Sequence, residues 1–153
     1  MGKVVPKLAE MITEERIVRL RSQDKEGVLR ELCEAIAQAP EITDKEDFYR
    51  AIVEREKILS TGIGLGVAVP HAKIASVKDF VMAIGVSDDA IDFDALDGKP
   101  VHILVLIGAS DAQKDLYVRV LAKVAMMLKN PEVRDRILKA REPSEIMDIL
   151  REH

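Results

Sequence analysis

The chain has 153 residues, 48% apolar and 33% charged, which excludes a disordered or fibrous protein and suits a single domain spanning residues 1–153. A net charge of −4, a pI near 5.5 and 3% aromatics with no Trp exclude the basic face or stacking platform of a nucleic-acid binder. The longest apolar run, residues 101–107, is too short to span a bilayer and the N-terminus shows no signal core, so no membrane insertion and a cytoplasmic location are expected.

In chain order, residues 17–20 alternate within RIVRL and predict a short strand. Across residues 24–38, Val28, Leu29, Leu32 and Ile36 recur at helical spacing until Pro40 stops the pattern, which predicts an amphipathic helix. Cys33 lies in that helix and is expected to be a buried structural thiol; as the only cysteine it allows no intrachain disulfide and argues against a thiolate metal site. Thr43 and Glu46 have capping-box spacing and open a second helix through Phe48 and Ile52 toward Lys57, with Arg55 and Glu56 near its end. The helical period breaks at STGIGLGVAVPHAK, where glycines alternate into an extended run ending at Pro70.

Residues 80–86 predict a strand, 87–98 an acidic turn-rich stretch, and 101–107 a buried strand. A helix over 111–129 places Leu116, Val120, Leu121, Val124 and Leu128 on one face. Asn130 and Pro131 are an N-cap and first helical residue for a helix to Ala140, and Pro143 and Ser144 start the last one. The fold class is α/β: a single domain with a mixed parallel/antiparallel sheet flanked by helices on both faces.

The candidate site centres on His71. Pro70 fixes its own φ and biases Val69 toward extended backbone, so the imidazole is aimed. A neutral imidazole offers one unprotonated nitrogen near pH 7 while an acceptor on the other fixes the tautomer, which suits a transient phosphoryl acceptor. Gly62, Gly64 and Gly66 could bring backbone N–H groups close to phosphate oxygens, Arg55 offers a planar fork, and Thr61 offers a hydroxyl. The glycines match no nucleotide fingerprint: no Gly-Lys-Ser/Thr follows and the run opens no helix. On these residues alone, a lone histidine after glycine-rich turns is more often a structural or surface residue than a functional one.

From Arg55-Glu56 through STGIGLGVAVPHAK, and again at IDFDALDGKPVHILVLIGAS, the chain resembles type-2 enzyme IIA domains of the bacterial phosphotransferase system. The resemblance implies that His71 accepts a phosphoryl group from the histidine phosphocarrier HPr, that Arg55 stabilises it, and that it passes to an enzyme IIB or serves as a regulatory signal. No cofactor and no metal are implied. Two positions depart from the family pattern. Tyr117, in YVRVLAKVA, stands where members often carry a second histidine, and it can donate a hydroxyl but not become cationic near neutral pH. Leu65 stands between the glycines where a polar residue is common.

His102, at the start of a buried strand, is expected to be a satisfied strand histidine, and the terminal His153 frayed. Asp88, Asp89, Asp92, Asp94 and Asp97 lack calcium-loop spacing and form a solvated turn. Met126 and Met127 belong to a mostly core-facing helix, whereas Ile63, Leu65 and Ile74 are the expected apolar contacts for a partner at His71. The competing function is a regulatory binding module switched by phosphorylation of His71, or a degenerate member that is never phosphorylated.

Overall fold

A computed structural model describes residues 4–153. Short 3₁₀ turns at Leu8–Met11 and Glu14–Arg16 lead into β1 (Ile17–Arg19), α1 (Lys25–Ile36) and α2 (Lys45–Ile58). The glycine run forms β2 (Gly62–Gly64) and β3 (Val67–Ala68), and His71 opens β4 (His71–Lys73). Then come β5 (Val81–Ile91), β6 (Val101–Ala109), α3 (Lys114–Lys129), α4 (Pro131–Lys139) and α5 (Pro143–Arg151).

The apolar runs of β5 and β6 are near-continuous because both faces of these strands are covered. They pair antiparallel, β1 adds parallel to β5, and β3 and β4 successively add parallel along the other edge of β6. Strand β2 completes the order β1-β5-β6-β3-β2. Alternation along the strands then divides the core in two. Met82, Ile84, Ile103, Val105 and Ile107 pack with α3, α4 and α5, whereas Val81, Ala83, Leu104 and Leu106 pack with α1 and α2. The molecule is the expected α/β domain with a mixed sheet and helices on both faces.

Helix α2 sits close on the sheet. A Cβ at Gly108 of β6 would come 2.9 Å from Cε1 of Phe48, so the absent side chain admits the buried ring. Burial of such a ring contributes about 1.5–3 kcal/mol, and here it also sets where the end of α2 lies over β4.

Several expected boundaries move, each for a local reason. The cap of α2 is Asp44, whose carboxylate accepts from the Asp47 amide at 3.1 Å; Thr43 instead donates its hydroxyl to the Ser76 carbonyl at 2.5 Å, tying the loop before α2 to the one after β4. Strand β5 runs past 86 through the acidic residues to Ile91, with a register irregularity between Val86 and Ile91, because fully buried Ile91 pairs with Val101. Helix α3 starts at Lys114 rather than 111, since the Gln113 side chain accepts from the Ser110 amide and closes a turn there. The glycine run, expected to lead into an extended run, is itself a hairpin: Leu65 (φ 61°) and Gly66 (φ 78°) both adopt the left-handed conformation that a two-residue hairpin turn demands.

Candidate functional site

His71 begins β4, opposite Ile107 of β6, just after Pro70, whose carbonyl accepts from the Ile107 amide at 3.0 Å. Alternation turns Ala72 into the core and leaves His71 and Lys73 half-buried on the other side. The His71 Nδ1 lies 2.7 Å from the Val69 carbonyl oxygen. A carbonyl only accepts, so Nδ1 carries the proton and Nε2 keeps the lone pair. Burial, the largest influence, pushes the His71 pKa below its ordinary 6.5; the nearby Arg55 pushes the same way, while the Val69 carbonyl and Glu56 partly oppose it. The imidazole is therefore a neutral, oriented base at pH 7.

Around it opens a pocket of about 380 Å³ lined by Arg55, Ile58, His71, Lys73, Ile74 and Tyr117, among others. Arg55 arrives on the last turn of α2, where one guanidinium N–H donates to the Leu59 carbonyl at 2.8 Å. Tyr117 arrives on the first turn of α3, its ring edge-on to the imidazole at 5.8 Å between centroids and 65° between planes. Burial pushes the Tyr117 pKa up to about 12, with Arg55 opposing, so its hydroxyl stays protonated. The structure thus brings Arg55, His71 and Tyr117 together from three separate elements.

Thr61 and the glycines lie elsewhere. The buried Thr61 hydroxyl donates to Glu56 Oε2 at 2.6 Å and its amide to Oε1 at 2.8 Å, while Lys25 Nζ closes an ion pair with the same carboxylate at 3.0 Å. The Thr61 carbonyl in turn accepts from the Val69 amide at 2.9 Å. Lys25, Glu56, Thr61 and Val69 therefore form a continuous chain that ends on the imidazole. The amide of Gly62 donates to Ser60 Oγ and that of Leu65 to Asp97, so these two hairpin amides have partners inside the fold. Gly64 and Gly66 supply positive φ to the turn, and none of the three glycines lines the pocket. Of the expected contact residues, Ile74 lines the pocket, while Ile63 and Leu65 are exposed on the hairpin.

Lys73 and the structural role of Glu56 escape sequence reading. For Lys73 the signal was present: in an extended strand the residue two beyond His71 shares its face. The role of Glu56 depends on contacts with Lys25 and Thr61 that no local pattern encodes. His102 Nδ1 is satisfied by the Ser87 carbonyl at 3.0 Å. Burial pushes the Cys33 thiol up to about 12, in keeping with a structural cysteine. Among the described residues no group of three or more His, Cys, Asp or Glu could hold a metal ion.

The model of the family described as "Phosphoenolpyruvate-dependent sugar phosphotransferase system, EIIA 2" matches residues 10–153. The chain belongs to that family. Among its relatives, a fructose-specific EIIABC component of Bacillus subtilis is 34% identical over 148 residues, 96% of this chain but only 23% of that protein. A nitrogen regulatory protein of Pseudomonas aeruginosa is 32% identical over 135 residues, 88% of each chain. The crystal structure of the nitrogen regulatory protein IIA-Ntr from Neisseria meningitidis superposes with a TM-score of 0.86 at 26% identity, covering 93% of this chain and 97% of the other. As an EIIA domain the chain is a component of phosphoryl transfer. No helix among its described residues is long and apolar enough to cross a membrane.

Proposed function

We propose that this EIIA domain is a phosphocarrier whose acceptor atom is Nε2 of His71. The observation that carries the reading is the bond from Nδ1–H to the Val69 carbonyl, beside a pocket that also holds Arg55. In the reaction, the Nε2 lone pair attacks the phosphorus of a phosphohistidine on an HPr-like phosphocarrier. The new N–P bond forms as the donor N–P bond breaks, and that electron pair leaves with the donor imidazole. Nδ1 keeps its proton throughout, donating it in a hydrogen bond to the Val69 carbonyl. His71 thereby becomes an N-phosphoryl imidazolium and a protonated donor returns to neutral imidazole, so no proton need cross. Arg55 presents its fork to the equatorial oxygens and the Tyr117 hydroxyl can donate a further hydrogen bond. The group then passes to an enzyme IIB.

The test is incubation with phosphoenolpyruvate, enzyme I and HPr, followed by intact-mass analysis in alkali. A phosphoryl mass gain in the wild type and none in His71→Ala is expected; labelling retained in His71→Ala overturns the assignment.

A second reading is a regulatory module whose partner choice follows the phosphorylation state of His71. It is favoured by the likeness to nitrogen regulatory proteins and by Tyr117, which lacks the titratable charge of a second imidazole. Addition of enzyme IIB to the phosphorylated domain separates the two: rapid discharge supports the carrier, and a persistent phospho-form supports the module.

A further inference from the structure

We infer that Lys73 is a second phosphoryl-binding cation of this site, held ready by the ring of Tyr117; the inference rests on His71 being the phosphoacceptor. Two residues of extended strand separate Lys73 from His71 by about 7 Å along one face of β4, within reach of a lysine side chain. Its ammonium stands 6.0 Å from the centroid of the Tyr117 ring, the same ring that meets the imidazole edge-on at 5.8 Å. The Tyr117 ring therefore neighbours both the acceptor and a cation.

The charge inventory points the same way. The pocket is lined by two cations, Arg55 and Lys73, and one carboxylate, Glu54, which is solvent-exposed. The ion pairs among the described residues all lie elsewhere and none includes Lys73. A phosphoryl group brings a charge of about −1.5 to −2, which Arg55 alone does not match and Arg55 with Lys73 does. Lysine suits the second position because its compact ammonium on a flexible stem follows the oxygens as the group moves between donor and acceptor. A cation–π contact of this length is weak, about 0.5–1 kcal/mol at an exposed site, so the ammonium leaves the ring readily. Lys73 in this way supplies the positive charge that Tyr117 itself lacks.

The experiment is single-turnover transfer from phosphorylated HPr at saturating donor, for the wild type and for Lys73→Met, Lys73→Arg, Tyr117→Phe and Tyr117→Leu. Saturation removes effects on docking, and thermal melting of each variant identifies any loss of fold. Lys73→Met is expected to slow transfer about tenfold or more, Lys73→Arg to recover most of it, and Tyr117→Leu, which removes the ring as well as the hydroxyl, to slow transfer further than Tyr117→Phe, which removes the hydroxyl alone. With the wild type labelled at His71, an undiminished rate in folded Lys73→Met overturns the inference and leaves the phosphocarrier reading standing. A wild type that gains no phosphoryl group overturns both.

Discussion

Replacement of Glu56 by alanine tests how far the site depends on the chain from Lys25 to His71. The Glu56 side chain is 5% exposed and accepts from the Thr61 amide and hydroxyl while pairing with Lys25, itself 23% exposed. Removing one partner of a buried ion pair costs about 3–5 kcal/mol, because the other charge is left behind. Lys25 retains the Phe93 carbonyl at 3.2 Å, the Phe93 ring at 4.6 Å and some water, which places Glu56→Ala near the lower end, about 3 kcal/mol. In a chain of this size each kcal/mol moves the melting temperature by about 2–4 °C, so a drop of roughly 6–12 °C is expected. Calorimetry of the wild type, Glu56→Ala and the double variant Lys25→Met/Glu56→Leu gives the measurement. The double variant should regain part of the loss, since it strands no charge. A Glu56→Ala midpoint within about 2 °C of the wild type refutes the idea that this pair holds the corner.

Two further predictions concern His71 and Leu65. The folded His71 pKa is lowered, so near pH 6 the unfolded chain binds the proton that the folded one refuses; stability is full above about 6.5 and falls as pH drops through the lowered value. Unfolding titrations of the wild type and His71→Asn between pH 7.5 and about 4.5 should differ by that acid slope, and parallel curves contradict the neutral imidazole. Leu65→Asn relieves a left-handed residue at φ 61° that is 53% exposed, so little buried area is lost; a gain of about 0.5–1 kcal/mol is expected in urea unfolding. An unchanged or lower midpoint shows that the hairpin carries no such strain.

The parts of the fold that follow from repetition were legible in the sequence. Val120, Val124 and Leu128 repeat at helical spacing and are buried in α3, and the unbroken apolar run of β6 is covered on both faces, as its composition requires. Pro131 after Asn130 marks the start of α4, where the Asn130 side chain accepts from the Glu132 amide. Features that depend on a single residue taking an unusual part were hidden. Leucine at positive φ conceals a hairpin turn, and Asp44 competes with Thr43 for one cap and prevails because Thr43 is occupied with Ser76. At the site, Arg55 and His71 share a motif, but Tyr117 meets His71 only because α3 and β4 both pack along β6 and its neighbours. Thr61 and the glycines suggested phosphate-binding donors by composition alone, and their groups are spent on Glu56, Ser60 and the turn.

That distribution bears on how the pocket would hold a phosphoryl group on His71. Many phosphate sites use a helix N-terminus, where unpaired amides and the positive end of the dipole favour negative charge. Here α2 ends beside His71 and presents its C-terminal carbonyls, the unfavourable pole for a phosphoryl group. The guanidinium of Arg55 on the Leu59 carbonyl reverses that polarity at the place where it would do most harm. Arginine has five N–H donors in a rigid fork, so one can stay on the carbonyl while others meet phosphate; an ammonium at the same position would have to divide itself between the two. With the Gly62 and Leu65 amides already bonded, the charge of a phosphoryl group on His71 would fall to side chains. On the proposed reading, the positive charge for the phosphoryl group comes from side chains that can move with it between donor and acceptor.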